Sequence, residues 1–181
     1  MRILPQRIAD VLLLEPRVFT DARGFFLESY HEARFAELVG SPIHFVQDNH
    51  SASSRHVLRG LHYQICEPQG KLVRVIAGEI FDVAVDLRRS SPTFGQWTGA
   101  YLSATNKHQL WIPEGFAHGF LALADQTEVL YKATRYYAPE HERCIVWNDP
   151  RLAIAWPLTT EPLVSAKDAQ GVLLEQAEVF D

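Results

Sequence analysis

The segment Ile80-Phe81-Asp82-Val83-Ala84-Val85-Asp86-Leu87 places Phe81, Val83, Val85 and Leu87 on one face and Asp82 and Asp86 on the other. A period of two is that of a β-strand buried on one side. Lys71 to Ile76 precedes it across Ala77-Gly78-Glu79, and the pair reads as a hairpin. Outward from there, turn signals recur at Asp21-Ala22-Arg23-Gly24, Ser90-Ser91-Pro92, Pro113-Glu114-Gly115 and Asn148-Asp149-Pro150, with short runs of Val, Ile, Phe, Tyr and Trp between them. Many short strands at this spacing predict an all-β fold, a sandwich or jelly roll. One helix is expected from about His31 to Val39, with Phe35, Leu38 and Val39 as its apolar stripe and Gly40 and Pro42 as its stop. The tail from Ser165 to Asp181 is expected to hold a short helix.

No repeat, low-complexity run or linker divides the 181 residues, which read as a single domain. Hydrophobic residues make up 47%, enough for a sizeable core. The net charge is −5, and no run of Lys or Arg is longer than Arg88-Arg89, so neither composition nor patterning points to nucleic acid. Local arginines can still bind an anionic small ligand. Cys66 and Cys144 are far apart and form no CxxC, which predicts free thiols in a reducing cytoplasm. In the amino-terminal run, Asp10 interrupts the apolar residues and Glu15-Pro16 ends them. No signal peptide or membrane span is expected.

The densest chemistry is Arg59-Gly60-Leu61-His62-Tyr63-Gln64, followed by Lys71. It sets a potential proton acceptor between two cations. Removing a proton beside a ketone needs a base, and a positive charge where the enolate oxygen forms. Tyr131, in Glu128-Val129-Leu130-Tyr131-Lys132, is a candidate to return the proton. A lone strand histidine is commonly structural, and simple alternation puts Arg59 and His62 on opposite faces. Both reach one cavity only if the strand kinks, and Gly60 is where a bulge is expected. A histidine base works best with a carboxylate on one ring nitrogen, and Asp82, Asp86 and Asp168 are all candidates. Arg23 and Arg59 have the chemistry to clamp a diphosphate. Phe19, Tyr136 and Tyr137 offer flat surfaces, although strand aromatics are more commonly core.

Pro113-Glu114-Gly115-Phe116-Ala117-His118 resembles the second motif of the cupins, in which the histidine often binds a metal. The first cupin motif supplies HxH, and here the matching place reads His62-Tyr63-Gln64. Without the second histidine, no catalytic metal is expected.

Seven stretches in order resemble the dTDP-4-dehydrorhamnose 3,5-epimerase family: Asp21–Phe26, Phe45–Ser51, Val57–Gln64, Gly70–Arg74, Phe81–Arg88, Trp111–Phe120 and Ser165–Asp168. The resemblance implies a cupin-type jelly-roll β-sandwich with a few short flanking helices, spanning residues 1–181 without metal or cofactor. It also implies a homodimer in which amino-terminal strands are exchanged. The implied substrate is dTDP-4-dehydro-6-deoxy-D-glucose, inverted at C3 and C5. By the family pattern His62 is the base, Asp168 its partner, Tyr131 the acid, and Lys71 the cation at the ketone oxygen. Arg23, Glu28, Gln47, Asp48, Asn49, Arg59, His118, Glu142 and Lys167 match nucleotide-sugar contacts, and Phe19 and Tyr137 match rings that pack on thymine. Many family members carry Trp where Tyr137 stands. A mono-epimerase acting on a related sugar shares the same motifs. A metal-dependent cupin and a non-catalytic nucleotide-sugar binder are the rivals from other classes.

Overall fold

The computed structural model describes residues 1–181. The strands, in chain order, are β1 (Arg2–Leu4), β2 (Leu12–Glu15), β3 (Val18–Asp21), β4 (Gly24–Leu27), β5 (Gln47–Ser53), β6 (Leu58–Gln64), β7 (Lys71–Ala77), β8 (Glu79–Asp86), β9 (Trp97–Ser103), β10 (Gln109–Ile112), β11 (Phe116–Ala122), β12 (Thr127–Ala133) and β13 (Glu142–Cys144). Six form one sheet in the order β1-β2-β10-β7-β12-β5, and five form a second in the order β13-β6-β11-β8-β9. The two sheets pack face to face as a jelly-roll sandwich, the all-β cupin-type architecture expected from the sequence.

Two details of the starting segment differ from expectation. β7 and β8 are not hairpin partners: β7 pairs with β10 and β12, while β8 pairs with β9 and β11. The chain crosses from one sheet to the other at Ala77-Gly78. A tight turn signal between two strands is common to hairpins and to sheet-to-sheet corners, and local sequence does not separate them. Nor is β8 buried on one side only. Phe81, Val83 and Val85 pack with Leu61, Tyr63, Ala117, Ile145, Leu152 and Leu174, beneath the carboxy-terminal segment. Ile80 and Ala84 face the opposite way and pack between the sheets with Val73, Val75, Leu110, Phe116, Phe120 and Val129. Asp82 and Asp86 are fully buried.

The expected helix is present as α1 (Glu32–Val39). His31 caps its start, and Gly40 ends it in the left-handed conformation at φ 82°. Its Phe35 packs on Leu14, Leu72 and Trp111, covering the outer face of the six-stranded sheet. The tail forms two 3₁₀ turns, Asp168–Gln170 and Leu174–Gln176. No helix is long and apolar enough to cross a membrane. β1 and β2 lie on this chain's own sheet, whereas β3 and β4 form a separate two-stranded hairpin. Phe19, Phe25 and Phe26 on that hairpin are 48%, 59% and 69% exposed, so its aromatic face is uncovered in the single chain.

Candidate active site

The strand kink required at Gly60 is present. His62 is opposite His118 and Arg59 is opposite Phe120, so β6 spends one more residue than β11 over the same span. That is a bulge, and it turns both Arg59 and His62 toward the space between the sheets. Gly60 has φ 114°, and a Cβ there would sit 2.6 Å from the Gly119 Cα and from the His118 carbonyl oxygen. Gly60→Ala therefore combines a disfavoured backbone with a backbone clash. We expect it to destabilise the fold by about 1–3 kcal/mol or more and to lower activity. A lower denaturation midpoint with an unchanged slope checks this; an unchanged midpoint contradicts it.

Among the three candidate carboxylates, Asp168 holds His62. Its Oδ1 is 2.8 Å from His62 Nε2, and its Oδ2 accepts the Gly60 N–H at 3.0 Å. The 3₁₀ turn that carries it is tied down by Asp168 N–H donating to Ser165 Oγ at 3.0 Å. Burial pushes the Asp168 carboxyl up, but the bonds from His62 and Gly60 and the nearby His62 charge outweigh it, so the net shift is downward. An ionised carboxylate only accepts, so Nε2 carries the hydrogen and Nδ1 is left for chemistry. Asp86 is committed elsewhere, to Arg88, Ser91 and Thr93. Asp82 holds the second histidine: Oδ1 lies 2.6 Å from His118 Nε2, while Oδ2 is buried without a partner.

The opposite sheet supplies the other groups. Tyr131 on β12 is opposite Asn49 on β5 and Val73 on β7, and Lys71 is opposite Ala133. Tyr131 and Lys71 line the same cavity, about 540 Å³, as His62, Arg59, His118 and Asp168. Burial pushes the Tyr131 phenol up, with Glu142 adding to the shift, so it stays protonated. Burial pulls the Lys71 ammonium down to about 8, against the pull of Glu142 and Asp82.

That value predicts a pH limb. If Lys71 must be charged to act, kcat/KM falls as pH rises through about 8. Tyr131 is shifted the other way and does not account for such a limb. Lys71→Arg should move the limb out of the measurable range, whatever its residual rate. A limb that stays near 8 in the variant assigns it to another group. The stability sign follows separately. The folded pKa lies below the unfolded one, so burying the ammonium costs stability in full below about 8. That cost is relieved as pH rises from there toward the ordinary lysine value.

Glu142, Lys167 and Tyr137 form one edge of the site. Lys167 Nζ donates to Glu142 Oε2, and Tyr137 Oη donates to the same oxygen at 2.7 Å. Burial raises the Glu142 carboxyl, and these two bonds with the His62 and Lys167 charges bring it below its ordinary value. Gln47 Nε2 donates to Asn49 Oδ1 at 2.9 Å, and Gln47 Oε1 accepts the Tyr137 N–H at 3.0 Å. Arg59 is anchored by Ser53 Oγ and the Ala52 carbonyl.

Five sequence candidates are not gathered here. Asp48 points to the outer face of β5 and pairs with Lys132 at 2.9 Å. Arg23 pairs with Asp21 at 2.6 Å on the exposed hairpin, with its side chain 90% exposed. Glu28 pairs with Arg34 at 2.7 Å, and Phe19 lies on the hairpin beside Phe26. Tyr136 is 70% exposed. Conversely, Cys144 was not singled out by sequence, yet β13 places it directly opposite His62. Burial, with Asp168 and Glu142 adding, pushes its thiol up to about 12. Only the pairing of β13 with β6 reveals this neighbour.

The residues where a cupin metal would sit do not fit one. Gln64 stands at the second-histidine position, donates to the Glu67 and Tyr136 carbonyls and accepts the Ala138 N–H. Its amide is fully used in holding loops. His118 turns its Nε2 to Asp82 rather than toward His62.

A protonatable imidazole on one sheet faces a protonated phenol and an ammonium on the other, which defines a cupin-type acid–base enzyme of the isomerase class. The pattern describing dTDP-4-dehydrorhamnose 3,5-epimerase matches residues 5–176. A Pseudomonas aeruginosa protein of that name is 65% identical over 173 residues, 96% of each chain. A Salmonella typhimurium one is 60% identical over 178 residues, 98% of this chain and 97% of that one. The crystal structure of a dTDP-6-deoxy-D-glucose-3,5-epimerase from Legionella pneumophila, in complex with dTDP-4-keto-L-rhamnose, superposes with a TM-score of 0.95 at 52% identity. That match covers 98% of this chain and 94% of the other. The chain belongs to the dTDP-4-dehydrorhamnose 3,5-epimerase family.

Proposed function

We propose that this enzyme inverts C3 and C5 of dTDP-4-dehydro-6-deoxy-D-glucose to give dTDP-4-dehydro-β-L-rhamnose. The observation that carries the reading is the placement of base and acid on opposing sheets, His62 on β6 and Tyr131 on β12, across one cavity. The C4 ketone acidifies the hydrogens on both C3 and C5, so one carbonyl serves two inversions. His62 Nδ1 takes the proton while Asp168 holds Nε2 and stabilises the imidazolium. Lys71 meets the negative charge that builds on the C4 oxygen. Tyr131 delivers a proton to the other face of the enolate carbon, and the centre inverts. The substrate arrives already oxidised at C4, so the chemistry calls for no cofactor.

Arg59, His118 and Lys167 supply cationic or donor groups for the diphosphate and sugar, and Tyr137 with Gln47 and Asn49 lies beside them. Arg23, Glu28 and Phe19 have a role if the enzyme is a homodimer. The exposed hairpin of β3 and β4 would then reach the partner's cavity, bringing a guanidinium and an aromatic face to the nucleotide end. In this proposal the exchanged element is the hairpin, while β1 and β2 stay on their own sheet. The free thiols Cys66 and Cys144 support a reducing, cytoplasmic setting.

Proton NMR of the product tests the reading. Inversion at both C3 and C5, and reduction of that product to dTDP-L-rhamnose by a coupled reductase, is the expected result. Inversion at one carbon alone would assign the chain to the mono-epimerases that share this site.

A further inference from the structure

Cys144 takes no part in the proton transfers above, yet it touches the place where they start. It is the cross-strand partner of His62, and directly opposed residues project from the same face with Cβ atoms roughly 4.5–5.5 Å apart. The 3₁₀ turn from Asp168 brings its carboxylate to the same point, with Oδ1 2.8 Å from His62 Nε2. One ligand atom from each of His62, Cys144 and Asp168 lies within 4.8 Å of the others. A tetrahedral zinc ion bound at ~2.0–2.3 Å holds its ligands roughly 3.4–3.8 Å apart. The three side chains therefore need only small rotamer adjustments to share one ion. Imidazole, thiolate and carboxylate are all zinc donors, and the sulfur selects thiophilic ions over magnesium and calcium.

We propose that His62, Cys144 and Asp168 form an inhibitory site for a thiophilic divalent cation, zinc above all. The site differs from the cupin metal position: it shares His62 but uses Cys144 and Asp168 in place of His118 and the residue at 64. The ion takes the place of the hydrogen between His62 and Asp168; that hydrogen shifts to Nδ1, so the imidazole stays neutral, and the Cys144 thiol proton is released to solvent. Water or a substrate oxygen completes the fourth position. With a ring nitrogen on the metal and Asp168 diverted, His62 is no longer a base. The inhibition rests on the epimerase reading, but the binding does not.

The test uses the full chain stripped of metal and titrated with Co²⁺ as a spectroscopic probe, then with Zn²⁺ in competition. Wild type should take up one equivalent per chain, with a near-ultraviolet thiolate-to-cobalt charge-transfer band and tetrahedral visible bands, and Zn²⁺ should abolish both. Cys66→Ser should keep the band. Cys144→Ser should lose it and bind zinc more weakly by more than the ~10–100-fold typical of losing an outer-shell partner. In turnover assays, zinc should inhibit wild type and a chelator should reverse it. Cys144→Ser should keep its metal-free rate, with the inhibitory zinc concentration raised by the same factor as its binding constant. No thiolate band in wild type, or equal zinc sensitivity in Cys144→Ser, overturns the proposal. If turnover is absent altogether, the cobalt spectrum still decides the site, and the failure belongs to the functional reading.

Discussion

His62→Ala is expected to lower epimerisation by at least the ~10²–10⁴-fold that a positioned acid or base contributes, and to abolish solvent exchange at both C3 and C5. The effect should be large because no other group is placed to replace the imidazole. His118, directly opposite on β11, is already turned to Asp82 at 2.6 Å. Asp168 keeps the Gly60 N–H when the imidazole is removed, so its carboxylate is not orphaned. The flanking Leu61 and Tyr63 point the other way, into the packing beneath the tail. The fold and the affinity for dTDP should therefore persist while turnover collapses. Rates from a reductase-coupled assay, with dTDP binding measured by calorimetry, check both halves. Wild-type exchange in the variant would remove His62 from the mechanism.

Tyr131→Phe should separate two events that normally occur together. The phenol sits on the sheet opposite His62 and is kept protonated by burial. Its ring packs against the core between the sheets, and phenylalanine keeps that packing. Only the donor is lost. Net inversion should fall by ~10²–10⁴-fold, while His62 continues to remove and return protons on its own face. In deuterated water, NMR should then show substrate that gains deuterium faster than it inverts. A parallel loss of exchange and inversion would make Tyr131 a positioning residue rather than the acid.

Much of this site was legible because it depends on local rules. The Gly60 kink followed from counting faces between Arg59 and His62, and a bulge is what the strand pairing shows. Helix α1 followed from its stripe and its Gly40 stop. What local rules do not reach is which sheet a strand joins. β7 and β8 have hairpin punctuation but separate at Ala77-Gly78 and pair within opposite layers, a choice set by strands distant in sequence. β8 read as half-exposed because its aspartates imply solvent. In the fold Asp82 is buried against His118, and Asp86 against Arg88. Choosing Asp168 over those two as the His62 partner needs a contact 106 residues away along the chain. The family pattern pointed to that contact, and spacing alone did not. Cys144 was missed for the same reason, since its neighbours come from strand pairing. Arg23, Glu28 and Phe19 lie off the cavity in the single chain, and the proposed homodimer is the arrangement in which they would reach a partner's cavity.

The most direct test of the opposing-sheet mechanism is a single turnover in deuterated water, with the origin of the new hydrogen read at C3 and C5 of the inverted product. A base on one sheet and a solvent-equilibrated phenol on the other predict solvent deuterium at both carbons from the first turnover. Inverted product that retains the substrate's own hydrogen at either carbon would contradict it, because one group would then have carried the proton from face to face.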